Sequence, residues 1–210
     1  MRSAGSQGPG QREPLGALSA LETPTRRRFE VLDLTRHFDG DAISWAVNPA
    51  DGALNCWGNT IPAEELFPAG EIFHVGPVPF VMPPTGDGQP NTIICQRQLL
   101  GIGAAPVDWI HVLAAAERRT EDVMLLHFAT GAVDPEHLRV SDFWPAEAQF
   151  GEWLAVRTTS MHYPEHVQHD LGAQIWATRV PVPRYADLAA IRLPDNRAIH
   201  VFALTLELRQ

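Results

Sequence analysis

From Phe29 onward the chain is written in short apolar runs. Phe29-Glu30-Val31-Leu32-Asp33-Leu34 alternates as an opening strand would and ends in a turn-rich stretch through Asp39, Gly40 and Asp41. Further runs at 71–75, 78–82, 91–96, 107–114, 122–128, 138–143, 153–157, 174–180, 188–193 and 199–208 bring the expected total to about ten strands. Between them lie Asp51-Gly52, Thr85-Gly86-Asp87-Gly88, Thr130-Gly131 and Pro194-Asp195-Asn196, which close corners through positive φ or side-chain turn bonds. The last run places His200, Phe202, Leu204, Leu206 and Leu208 on one face and Ile199, Val201, Ala203 and Thr205 on the other. Both faces are largely apolar, so this strand is expected inside a sheet. The one helical candidate is a single turn over Pro62–Leu66, opened by proline. The pattern predicts an all-β sandwich or jelly roll with little helix.

Composition narrows the function. The chain has 210 residues, enough for one sizeable core, and the expected division is a tail over 1–28 and one sandwich domain over 29–210. The tail text is rich in Gly, Ser, Pro and Arg without periodicity. A net charge of -9, with no lysine and no arginine stripe, argues against a nucleic-acid partner. No run has the length of a membrane span or of a secretory signal, so a soluble, cytoplasmic protein is expected, with Cys56 and Cys95 as reduced thiols. A phosphate loop, a nucleophile elbow, a Cys-x-x-Cys pair and a dinucleotide fingerprint are all lacking.

Several ordered segments carry a resemblance: Asp51-Gly52, Ile61-Pro62-Ala63-Glu64-Glu65-Leu66, Val78-Pro79-Phe80, Gly88-Gln89-Pro90-Asn91, Ser141-Asp142-Phe143-Trp144, and Leu193-Pro194-Asp195-Asn196 through His200 to Leu206. In this order they resemble the galactose-binding-like accessory β-sandwich of bacterial glycosidases, alpha-mannosidases among them. The resemblance implies a jelly roll whose end loops can hold sugars and in which a calcium ion can pin the first strand to the last. It implies no catalytic residues.

Four constellations could carry chemistry. Asn55-Cys56-Trp57-Gly58-Asn59 sets amides beside an indole, a mixture that suits a sugar; alternatively the amides serve the turn and the indole caps the sandwich. His162, Tyr163 and His166 lie in a histidine-dense segment, read as a loop, that could supply acid and base or bind a transition metal, or could simply be wet. His111 and His200 sit on strands, as buried hydrogen-bonded histidines or as catalytic groups, with His111 also a candidate ligand contact. Asp33, Asp39, Asp41 and Glu207 fall where the resembled fold can carry calcium, with Asp39, Asp41 and Glu207 the expected ligands; solvated turn acids are the other reading.

The expected function is a non-catalytic carbohydrate-binding or small-molecule-binding module that takes a sugar or glycosylated small molecule through Asn55, Trp57, Asn59 and His111. The alternative is a cofactor-independent or metal-assisted enzyme of small-molecule metabolism working through His162, Tyr163 and His166. A homo-oligomer is compatible with either.

Overall fold

Residues 27–210, those the computed structural model describes, fold almost entirely into strands. The expected tail over 1–28 lies, up to residue 26, outside the described residues. In chain order the strands are β1 (Arg28–Val31), β2 (Ile43–Ser44), β3 (Ile61–Pro62), β4 (Ile72–Val75), β5 (Val78–Val81), β6 (Ile93–Gln96), β7 (Leu99–Ala105), β8 (Val107–Ala116), β9 (Thr120–Phe128), β10 (Val133–Val140), β11 (Trp153–Arg157), β12 (Ser160–Tyr163), β13 (His166–His169), β14 (Gln174–Pro181), β15 (Leu188–Arg192) and β16 (Asp195–Leu208). Two single-turn 3-10 helices, Thr35–His37 and Ala63–Glu65, complete the described elements, the second where one helical turn is expected. The class is all-β.

Two antiparallel sheets face each other. The first runs β1-β16-β8-β14-β11, with β6 also paired to β16; the second runs β10-β9-β15-β7. Between them Ile110, Val112, Ala114, Leu204 and Leu206 meet Met124, Leu126, Leu188 and Ile191 in one buried cluster. A second cluster lies on the outer face of the first sheet, where Leu113, Ala115, Ile175, Ala177 and Phe202 are covered by Ile43, Ile61, Phe73, Phe80 and Met161. The first sheet is therefore buried on both faces, which is why β8 from Ile110 to Ala116 and β16 from Ile199 to Leu206 are buried at every position and not at every second one. Each large side chain so buried contributes about 1.5–3 kcal/mol.

Three expectations are corrected. Strict alternation along β16 fails because the register shifts between Val201 and Ala203: one extra residue, Phe202, is inserted opposite β8. Ile199 and Val201 before the bulge and Leu204 and Leu206 after it all face the inter-sheet core, leaving Phe202 and Ala203 on the outer side. Asp195 and Asn196, read as a turn, begin β16 instead, with an irregular pairing to β6. The expected run at 138–143 is displaced: the strand is Val133–Val140, paired along its length with β9.

Candidate functional site

β1 leaves β16 at Val31, opposite Thr205, and β6 joins the same edge at Val201, opposite Ile93. Phe202 and Ala203 thus lie at a break in the edge pairing of β16, and there the outer face carries a pocket of about 550 Å³. Phe202 and Ala203 form its floor, the segment Val31–Thr35 with Phe38 one wall, and the segment Val81–Gly86 with Gln89 the other. The second wall has a local cause. The β4–β5 pairing continues one step past β5, through Met82 N–H donating to Glu71 O at 3.0 Å, and Pro83 and Pro84 then end it because neither can donate to a ladder. The chain turns aside, and Trp45 Nε1 holds it by donating to Thr85 O at 2.6 Å.

The lining is mostly apolar, and Asp33 is the one charged side chain in it. The Thr35 hydroxyl and amide donate to Asp33 Oδ1 at 2.6 and 2.9 Å, which holds the carboxyl below its usual range. Near neutral pH the pocket is a mostly apolar slot with a single negative charge at its exposed rim.

Residues 28–210 match the AziU2-like beta-sandwich domain family. The chain belongs to that family. No curated protein matches it. The AziU2-like match supports the sandwich that the glycosidase-accessory resemblance implied, and gives no support to the galactose-binding-like, glycosidase-associated part of it. In this AziU2-like chain no helix among the described residues is long and apolar enough to cross a membrane.

The amides of Asn55 and Asn59 serve the turn. Asn55 Oδ1 accepts the backbone N–H groups of Trp57 and Asn59, both at 3.1 Å, and Asn55 Nδ2 donates to Asn59 Oδ1 at 2.9 Å. Asn59 is buried, and its Nδ2 donates to His162 O at 3.4 Å. Gly58 lets the loop close: its φ is 71°, and a Cβ there would come within 2.8 Å of Pro164. Trp57, 63% exposed, is the member of the trio left to solvent.

His162, Tyr163 and His166 lie on a hairpin, β12 and β13, turned by Pro164 and Glu165, and not on an irregular loop. Successive strand residues face opposite ways, so the structure does not bring the three rings to one point. His162 is buried, with Nδ1 bonded to Ser44 Oγ at 2.8 Å, Ser44 Oγ in turn 2.5 Å from Thr60 Oγ1, and Glu64 Oε2 standing 3.9 Å from Nε2. Burial holds this imidazole's pKa below its usual value despite Glu64 and Glu65. Tyr163 stacks on exposed His166 at 5.0 Å.

His111 is buried and bonded through Nε2 to Glu207 Oε2 at 2.9 Å, and burial lowers its pKa against the pull of that carboxylate. Glu207 also faces Arg27 at 3.5 Å. Asp39 accepts the Ile94 amide and Gln98 Nε2, both at 2.8 Å, and Asp41 Oδ1 accepts Asn91 Nδ2 at 2.5 Å. Both aspartates stand near Thr92, which bonds Val201, six residues from Glu207 along β16 and so roughly 20 Å away at about 3.3 Å per residue. The structure does not bring Asp39, Asp41 and Glu207 together, and the described residues hold no cluster of three His, Cys, Asp or Glu side chains fit for a metal.

Of the candidate residues named from the sequence, Asp33 alone lines the apolar pocket, and none of the expected sugar, histidine or calcium-ligand residues does. Pro83-Pro84 following an apolar strand was the available signal that the chain leaves the sheet there. The bulge gave none, since Phe202 and Ala203 suit either face of a doubly buried strand.

Proposed function

We propose that this AziU2-like protein is a non-catalytic small-molecule-binding module, and that its ligand is a largely apolar molecule seated in the pocket over Phe202 and Ala203. The observation that carries this reading is the coincidence of the bulge, the break in edge pairing and the pocket at one point of β16. Bulges concentrate where a fold re-aims side chains at a site, and an apolar cavity with few polar groups is the usual form of a small-molecule site. A neutral or cationic ligand suits the lone Asp33 carboxylate. The non-catalytic part is supported by the separation of His162 from Tyr163 and His166, and by the burial of His162 against Ser44.

Nile red, a neutral apolar dye, serves as a probe. Wild-type protein is expected to bind it saturably at one site, and small apolar amines are expected to displace it. Val81→Trp, which adds an indole at the half-buried rim, is expected to abolish that signal with the thermal transition unchanged. Absence of saturable binding, or equal binding by folded Val81→Trp, overturns the proposal.

A sugar-binding role is the second reading, favoured by the exposed indole of Trp57. It requires heat on titration with a monosaccharide and oligosaccharide panel, and loss of that heat in Trp57→Ala at unchanged thermal stability.

A further inference from the structure

A second cavity, of about 410 Å³, opens on the same outer face of the first sheet, beside His200 and Ala198. His200 follows Ile199 and precedes Val201, both turned to the inter-sheet core, so alternation aims it outward. Opposite it stand Asn55 and Cys56 of the Trp57 loop, and Glu117 and Arg197 close the sides.

Three features of this cavity are unspent by the fold. His200 is 3% exposed, yet its Nδ1 has no hydrogen-bond partner. The Leu54 backbone favours the charged ring and its N–H is already given to Asn59 O, so a ring protonated at Nε2 toward the Leu54 carbonyl leaves Nδ1 as an acceptor. A buried acceptor left unpaired is destabilising, and a donor brought by a ligand removes that cost. Glu117, half-buried, and Arg197, exposed, carry opposite charges on one cavity, and among the described residues neither is in an ion pair. Arg197 Nη1 donates to Gln96 Oε1 at 2.5 Å, which leaves guanidinium donors over; Glu117 Oε1 receives only the Cys56 thiol, at 3.8 Å.

We propose that this cavity is a second binding site and that its ligand is a small zwitterion, an α-amino acid or a close relative. The ligand carboxylate accepts from Arg197, and its ammonium donates to Glu117 and to His200 Nδ1. Burial depresses the His200 pKa to about 4, so the ring is neutral at pH 7 and its acceptor is available without repelling the ammonium. Opposed charges at fixed places also reject ligands that bear only one charge. The site is separate from the apolar pocket, and its occupancy does not depend on the role proposed for that pocket.

The test uses the full chain and the proteinogenic L-amino acids, read by calorimetry and by the rate at which iodoacetamide alkylates Cys56. That thiol is exposed, whereas Cys95 is fully buried with its pKa pushed up, so the chemistry reports on one cysteine. At least one amino acid is expected to bind saturably and to slow alkylation. Its methyl ester and its deaminated acid are each expected to bind about tenfold more weakly or worse, as are Glu117→Gln and Arg197→Gln toward the parent ligand. Nile red binding should be unchanged in both variants. The proposal is overturned if no amino acid slows alkylation or gives heat at about 10 mM, or if the ester or the deaminated acid binds as well as the parent. Wild-type affinity in folded Glu117→Gln and Arg197→Gln overturns it equally. Should a variant fail to fold, the ester and the deaminated acid decide the matter on wild-type protein.

Discussion

The two cavities beside β16 are close neighbours of opposite chemistry. Phe202 and Ala203 floor one, and His200 and Ala198 line the other, yet the first is mostly apolar while the second gathers an imidazole, a carboxylate, a guanidinium and a thiol. The difference comes from a single inserted residue. Without the bulge, alternation would send Ala203 into the inter-sheet core and leave Phe202 between His200 and Leu204 on the outer face; with it, two consecutive apolar residues face outward and make a continuous apolar floor. Apolar floors attract in proportion to area and discriminate little, whereas a few fixed polar groups orient a ligand and reject its analogues. One strand thereby offers a site of affinity and a site of selectivity.

Phe202→Ala breaks the comparison most severely. Phe202 is 1% exposed and serves the outer core as well as the pocket, so its loss is expected to cost about 3–5 kcal/mol in denaturant unfolding. A cost below about 1 kcal/mol would mean that the bulged residue is not packed.

His200→Leu tests the polar side through pH. Because the folded pKa is depressed to about 4 from 6.5, the unfolded chain takes up the proton first, and stability present above about pH 6.5 is lost as pH falls toward 4. Wild type should lose roughly 3 kcal/mol to this group over that range, and the variant should not. Asp41, whose carboxyl is raised by burial, acts in the opposite sense, so the difference between the wild-type and variant curves is the quantity to measure.

Ser44→Ala contrasts the unpartnered Nδ1 of His200 with the partnered Nδ1 of His162. It leaves His162 Nδ1 and Thr60 Oγ1 without their shared hydroxyl, at an expected cost of about 1–3 kcal/mol by thermal or chemical unfolding. No measurable cost would mean that water replaces the hydroxyl freely.

The smallest effect is expected of Asp33→Asn, whose side-chain oxygen can still accept from Thr35. Stability should hold, and competition against Nile red should show a severalfold loss for an apolar amine and none for its neutral analogue. Equal losses for both would remove Asp33 from ligand recognition.

The sequence pattern was most legible where burial is one-sided or complete. β8, β9, β14 and β16 lie close to the expected runs because their apolar text is long, and the all-β class follows from the same text. It was least legible at the edges of the second sheet. β7 reads Leu-Leu-Gly-Ile-Gly-Ala-Ala, with two glycines that weaken any strand signal, and β10 carries Asp134-Pro135-Glu136-His137, polar text with a proline that only an edge strand tolerates. The histidine segment was misread for a related reason: Pro164 breaks a helix, but it also fits the turn of a short hairpin, and local text does not separate the two. For the site, residue type was a poor guide. The amides of Asn55 and Asn59 are used within their own turn and the Glu207 carboxylate is taken by His111, while the residues that make the apolar pocket are mostly ordinary apolar ones placed by topology.

The central claim, that the pocket over Phe202 holds a small apolar ligand, is tested most directly by methyl-13C NMR of the methionines during Nile red titration. Met82 lines the pocket, whereas Met124 lies in the inter-sheet core. The account predicts that the Met82 methyl shifts saturably, in step with dye fluorescence, while Met124 stays in place. A Met82 signal that does not move as the dye binds would contradict it.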